Sequence, residues 1–219
     1  MSSLQACLFD LDGVIVDTAK YHYLAWRHMA QQLGFDLSET QNEQLKGISR
    51  MESLDIILRL GGVVLDQDTK EQLASEKNQH YLELCAQITP QEVLPGVLDF
   101  MNEVRRAGIK IGLGSASKNA RLILQHLDML PYFDTIVDGT LISRGKPDPQ
   151  TFALGAADLR VPAAACVVFE DAVAGVEAAR AAGMKAVGVG DPEVLAAADR
   201  VIPGFKDFSL HDLMTLFQK

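Results

Sequence analysis

Short apolar runs alternate with helical periodicities along most of this chain, and that alternation restricts the fold more than any other feature. Runs at 6–9, 109–114, 135–137, 166–169 and 186–189 end in small or acidic residues, and each reads as a strand. Their near-continuous apolar character suits strands buried on both faces of a parallel sheet. Between them, apolar residues recur at three- and four-residue spacing: Val97, Met101 and Val104, then Ile123, Leu127 and Leu130, then Val173, Val176 and Ala179. The pattern predicts an α/β fold, a Rossmann-like, mostly parallel sheet core with helices on both faces. One interval breaks it. Over 18–91 there is no convincing strand, only helical patterns such as Leu54, Ile57, Leu58 and Leu73, Lys77, Tyr81, Leu84, and the stretch is too long for a plain loop. The expected division is therefore an α/β core formed by 1–17 and 92–219 and an inserted helical cap at 18–91, whose exit is marked by Pro90, Pro95 and Gly96.

Composition narrows the partners. The 219 residues are 48% hydrophobic and 22% charged, enough for a full core, and the net charge is −9. That balance argues against general affinity for nucleic acid or an anionic membrane and favours a small-molecule partner. Cys7, Cys85 and Cys166 are odd in number and far apart, so they fit buried, reduced thiols better than a disulfide framework or a zinc knuckle. No signal-like N-terminal stretch or run of transmembrane length is present, and the expectation is a cytoplasmic, monomeric protein.

The first strand closes on Asp10-Leu11-Asp12-Gly13-Val14, followed by Asp17-Thr18. In an extended chain both carboxylates fall on one face, because side chains repeat with period two. Charges that close stay ionised only when a cation, a helix terminus or hydrogen bonds compensate them. The carboxyl ends of parallel strands are also where open α/β sheets bind ligands. A plain acidic turn after a strand is the structural alternative. The string resembles the signature of the haloacid dehalogenase superfamily of phosphoryl-transfer enzymes, which implies that Asp10 is a nucleophile and Asp12 a general acid/base. That chemistry is sound on its own terms: a carboxylate can attack phosphorus to form an aspartyl-phosphate, and a second carboxyl group can protonate the leaving oxygen.

Three further segments follow predicted strands or turns. Ser115-Ala116-Ser117-Lys118-Asn119 follows the second core strand and opens a helix, so its hydroxyls and N–H groups could receive an anion or simply cap the helix. Lys146-Pro147-Asp148-Pro149 resembles the superfamily's basic motif, and otherwise reads as a proline-shaped turn. Glu170-Asp171 matches the acidic motif that holds magnesium, although Asp171 could be only an N-cap before Ala172. In the insertion, Lys46-Gly47-Ile48-Ser49-Arg50-Met51-Glu52-Ser53 resembles the cap loop of the β-phosphoglucomutases, as do Tyr21-His22 and Ala25-Trp26. Ser49 and Glu52 also have capping-box spacing, and a capped helix start beside an arginine is an anion site.

The resemblance implies residue roles. Asp10, the Asp12 backbone carbonyl, Glu170 and Asp171 would surround Mg²⁺. Ser115, Ala116 and Lys146 would meet the transferring phosphate. Arg50, Ser117, Lys118 and Asn119 would hold the other phosphate of a sugar bisphosphate, and Gly47 and Ser53 would line the sugar pocket. Lys46, Trp26 and Lys77 are further candidates, while Thr18 and His22 would couple cap closure to Asp12. The implied reaction interconverts β-D-glucose 1-phosphate and glucose 6-phosphate. A sugar-phosphate phosphatase is the nearest alternative and a noncatalytic sugar-phosphate binder a more distant one. Two departures stand out: Gly114 where those mutases carry alanine, expected to loosen the strand end, and Met51 where an acidic residue is expected. A dinucleotide fingerprint from Gly112-Leu113-Gly114 fails at Ser117, and Arg144-Gly145-Lys146-Pro147 fails as a P-loop.

Overall fold

The structure, a computed structural model, describes residues 3–45 and 48–218. Its strands are β1 (Ala6–Phe9), β2 (Lys110–Gly114), β3 (Thr135–Val137), β4 (Cys166–Glu170), β5 (Lys185–Val189) and β6 (Arg200–Ile202). They form one sheet in the order β3-β2-β1-β4-β5-β6, with every neighbouring pair parallel. The chain builds outward from β1 to β3, then returns to the other side of β1 to lay down β4. That reversal makes the gap beyond the carboxyl ends of β1 and β4 the topological switch point, where open sheets bind ligands.

The helices are α1 (Ala19–Gln32), α2 (Glu39–Glu43), α3 (Arg50–Leu60), α4 (Gln67–Cys85), α5 (Val97–Arg106), α6 (Ala120–His126), α7 (Gln150–Leu159), α8 (Val173–Ala181) and α9 (Leu210–Met214). Period-two side chains divide the sheet's apolar residues between two layers. Cys7, Phe9, Val167, Phe169 and Val187 join α5 and α6 on one face, and Ala6, Leu8, Cys166, Val168 and Ala186 join α7 and α8 on the other. On the first face Phe9 stacks on Phe169 with centroids 4.8 Å apart, and Phe100, Phe205 and Phe208 pack around them. This aromatic layer includes the last residue of β1 and the next-to-last of β4, so it lies at the ends of both strands.

Segment 18–91 holds α1 to α4 and, among the described residues, no strand. Trp26, Met29, Leu37, Leu54, Ile57 and Leu58 make a cluster separate from the sheet's two layers. Tyr81, Cys85 and Ile88 instead pack with Val14, Ile15 and Val16 at the base of the insertion. The outgoing and returning chains are tied there by a bridge between Val16 and Val93 and by a 2.9 Å bond from the Leu94 N–H to the Ile15 carbonyl.

Several local expectations change. Leu127 and Leu130 fall outside α6, because Asp128 at φ 55° ends the helical path and Leu130 begins a 3-10 turn. Val173 is 42% exposed, and the buried face of α8 is Gly175, Val176, Ala178 and Ala179. β6 carries only three residues and no apolar run, so only its pairing with β5 identifies it. Gly114 does not loosen its strand: it pairs with Val137, and the Phe152 ring fills the place of the missing side chain.

Candidate active site

Asp10 follows β1 directly, and its N–H donates to the Phe169 carbonyl at 3.0 Å, so the adjacent strand holds the backbone. The chain then turns through Gly13 at φ 74°, a left-handed conformation that glycine adopts without strain. Glycine is needed there for a second reason. A Cβ on Gly13 would lie 2.2 Å from Asp171 Oδ2, so the bare backbone makes room for that carboxylate. Asp10, Glu170 and Asp171 each present an oxygen within 4.8 Å of the others. Asp10 is 5% exposed and Glu170 fully buried. Asp171 does not cap α8, whose N-cap is Ala172; the Ala172 N–H donates to Glu170 Oε2 at 3.1 Å.

Lys146 reaches this cluster from the loop before α7. Its ammonium donates to Asp10 Oδ1 at 2.5 Å and to Glu170 Oε1, and it lies 4.9 Å above the Phe152 ring. Burial alone would lower its pKa, but the charges of Asp10 and Glu170 hold the ammonium above the ordinary lysine range. The proline turn is thus a buried cation site, with Lys146 only 2% exposed. Burial pushes Glu170 up to about 7 against the pull of that same ammonium. Three converging carboxylates, with one lysine engaging two of them, form the all-oxygen donor set that suits a small, hard divalent cation. The side chain of Asp12 stands outside this set. Burial, then the charge of Asp10, raises it to about 8, opposed by Lys146 and Lys77, and its Oδ1 has no hydrogen-bond partner among the described residues.

A cleft of about 990 Å³ opens above the strand ends and is lined from both the sheet and the insertion. Ser115, 1% exposed, follows β2; its hydroxyl accepts the Ser117 N–H at 3.1 Å, and the Ser117 hydroxyl accepts the Asn119 N–H at 3.2 Å. Those N–H groups are therefore already engaged, and α6 is a seven-residue helix capped at Asn119 without a side-chain bond. Two of the N–H groups expected to receive an anion are thus engaged within the loop, and Lys118 is exposed on the cleft lining. From the insertion, Ser49 caps α3 in the expected reciprocal box with Glu52, which presents Arg50 in the first turn. Ser53 is 3% exposed on the same wall, and Met51 packs against the insertion's own apolar cluster. Lys46 and Gly47 lie outside the described residues.

Trp26 and Lys77 are buried in the insertion, and half-buried His22 joins them. Lys77 donates to His22 Nδ1 at 3.0 Å and lies 4.2 Å above Trp26 and 4.9 Å above Tyr81. An ammonium can only donate, which leaves the proton of a neutral His22 on Nε2. Burial, then the charges of Lys77 and Arg50, keeps His22 well below its usual pKa. Burial and Arg50 likewise bring Lys77 down to about 7. Thr18 is fully buried nearby, its hydroxyl without a partner among the described residues.

Two positions that shape the site escaped the sequence reading. Asn78 accepts from Arg50 Nη2 at 2.7 Å and from Asn119 Nδ2 at 2.8 Å, bridging the insertion and the sheet. No motif marks it. Gly175 admits the Glu170 carboxyl, which a Cβ would meet at 1.9 Å. A signal did exist here, since glycine inside an alanine-rich helix weakens it and calls for a packing reason.

A parallel sheet with paired aspartates at its switch point, a buried lysine on the first of them and an acidic cluster beside it defines a phosphoryl-transfer class of α/β enzyme. The haloacid dehalogenase-like hydrolase family profile matches residues 4–183, and the chain belongs to that family. It is 44% identical over 209 residues to a β-phosphoglucomutase of Bacillus subtilis, covering 94% of this chain and 92% of the relative. It is 36% identical over 182 residues to a fructose-1-phosphate phosphatase of Escherichia coli, covering 83% and 94%. The crystal structure of a β-phosphoglucomutase from Clostridium difficile superposes with a TM-score of 0.94 at 42% identity, covering 97% of this chain and 96% of that one.

Proposed function

We propose that the protein interconverts β-D-glucose 1-phosphate and glucose 6-phosphate through β-glucose 1,6-bisphosphate, the reaction of a β-phosphoglucomutase. The observation that carries this reading is the pairing of two cationic half-sites across one cleft. Lys146 contacts the nucleophile, while Arg50 from the insertion and Lys118 from the loop after β2 line the same cleft. A phosphatase needs the first half-site, whereas a mutase needs both, because each phosphate of the bisphosphate must in turn face Asp10.

In this reading an Asp10 oxygen attacks phosphorus, the bond from phosphorus to the sugar oxygen breaks, and Asp12 gives that oxygen its proton. In the second half-reaction Asp12 takes the proton from the other hydroxyl as it attacks the aspartyl-phosphate, and Asp10 is freed. Ser115 and Lys146, with the Ala116 backbone, hold the moving phosphoryl group. Arg50, Ser117, Lys118 and Asn119 hold the distal phosphate, and Ser53 and Gly47 border the sugar. Thr18 and His22 couple the insertion's position to Asp12, and Trp26, Lys46 and Lys77 add contacts to the substrate. Asp10, Glu170, Asp171 and the Asp12 carbonyl would hold Mg²⁺, which when bound offsets charge on the phosphoryl group. We take 18–91 as a cap on a core of 1–17 and 92–219, opening so that the bisphosphate can turn over and closing to exclude water from the aspartyl-phosphate. The same reading makes the protein a cytoplasmic monomer acting on a small sugar phosphate; among the described residues no helix is long and apolar enough to cross a membrane.

Phosphorus NMR of β-glucose 1-phosphate with Mg²⁺ and a trace of bisphosphate tests the proposal. Conversion to glucose 6-phosphate is expected. Release of inorganic phosphate instead would make the protein a phosphatase, like the Escherichia coli relative.

A further inference from the structure

Asn78 sits on α4, half-buried at the cleft, and its side-chain oxygen is the meeting point of two donors from different parts of the fold. Arg50 Nη2 approaches at 2.7 Å from the start of α3, and Asn119 Nδ2 at 2.8 Å from the loop after β2. The chemistry assigns every atom: a guanidinium has only N–H donors, so the Asn78 atom facing it is the amide oxygen, and the Asn119 atom facing that oxygen is therefore its amide nitrogen. Two donors aimed at one oxygen is the arrangement a phosphate oxygen would meet. Arg50 is moreover half-buried, and burial lowers its pKa, so its charge sits where a strong acceptor is favoured.

We infer that Asn78 is a positioning residue for the distal phosphate: its oxygen occupies the place of an anionic oxygen, holds Arg50 and Asn119 in register across the cleft, and yields them to the phosphate when it arrives. The inference rests on the distal-phosphate reading given above and deepens it. The exchange is favourable because an anionic oxygen is a stronger acceptor than an amide oxygen and adds the attraction of opposite charges to Arg50. The amide is thus strong enough to order the two donors and weak enough to be displaced. It also ties the insertion to the sheet through side chains alone, so its loss should be felt before any ligand binds.

Two variants and a control test this in the full chain. Without ligand, Asn78→Ala removes the shared acceptor, and small-angle scattering should show a larger radius of gyration than the parent. Asn78→Asp keeps the acceptor and adds a charge that the phosphate must displace. It should raise the half-saturating concentration of β-glucose 1,6-bisphosphate about tenfold more than that of acetyl phosphate, which has no distal phosphate. An Asn78→Ala protein as compact as the parent, or an Asn78→Asp protein whose two half-saturation values rise equally, overturns the inference. Arg50→Ala separates this from the reading beneath it. If Arg50→Ala impairs the use of bisphosphate and of acetyl phosphate equally, the distal-phosphate reading fails and the displacement step falls with it, whereas the scattering result still decides whether Asn78 joins the two halves.

Discussion

Replacing Asp10 by asparagine keeps the shape of the side chain and removes its anionic oxygen. Asp10→Asn should therefore abolish phosphoryl transfer with the fold intact, and Asp12→Asn should slow turnover by about 10²–10⁴-fold through loss of acid/base catalysis. Turnover close to the parent's in either purified variant would remove the central assignment. These aspartates, Lys146 and Glu170 were all legible in the sequence, because each stands beside a strand end or in a short motif of fixed spacing. Gly175 was not, since its role appears only when α8 lies against the end of β4. Gly175→Ala would place a Cβ 1.9 Å from the Glu170 carboxyl and displace that group from Lys146 and Asp171. The expected outcome is a rise of roughly 10–100-fold in the Mg²⁺ needed for half-maximal activity, as for other residues that orient metal ligands. An unchanged Mg²⁺ titration would show that Glu170 does not depend on this contact.

At the scale of the element, α4 was legible as a helix, but its buried face was only partly so. Leu73 and Leu84 proved half-buried, while Ala74, Lys77, Tyr81 and Cys85 turn inward. A lysine on an inward face contradicts simple amphipathic patterning, and it is tolerated because His22 accepts a hydrogen bond from it and the Trp26 and Tyr81 rings lie against its charge. The cost of burying it should register in stability. The Lys77 pKa is about 7 in the folded protein and about 10.4 in an unfolded chain. Across that window the unfolded chain binds more protons than the native one, so Lys77 makes stability rise with pH, while below the window both states are protonated and its contribution is constant. Lys77→Met should flatten the rise. Urea midpoints for parent and variant, measured from pH 6.5 to about 9.5, should show the parent gaining steadily on the variant as pH rises; two parallel curves would contradict the buried charge.

For the whole molecule, the aromatic layer under the switch point ties the site to global stability. Phe169 stacks on Phe9 and meets Phe100, Phe205 and Phe208 within 6.3 Å. Phe169→Ala should cost about 3–5 kcal/mol, transfer and cavity together, read from urea unfolding. A loss below about 1 kcal/mol would mean that the layer collapses to fill the space.

What the amino-acid sequence determined by itself was local or periodic: the five apolar runs, the helical interruption at 18–91, the Ser49–Glu52 cap and the acidic and basic motifs at the strand ends. Such features are written in spacings that the chain realises wherever it lies, and backbone geometry turns them into faces and termini. The tertiary structure alone decided which strand neighbours which, hence that Asp10 and Glu170 flank one switch point, and that a three-residue strand at 200–202 completes the sheet. It alone brought Asn78 between Arg50 and Asn119, 28 and 41 residues away in the chain. A hydrogen bond over that separation leaves no period in the sequence, because its geometry is set by how two packed bodies meet and not by either one.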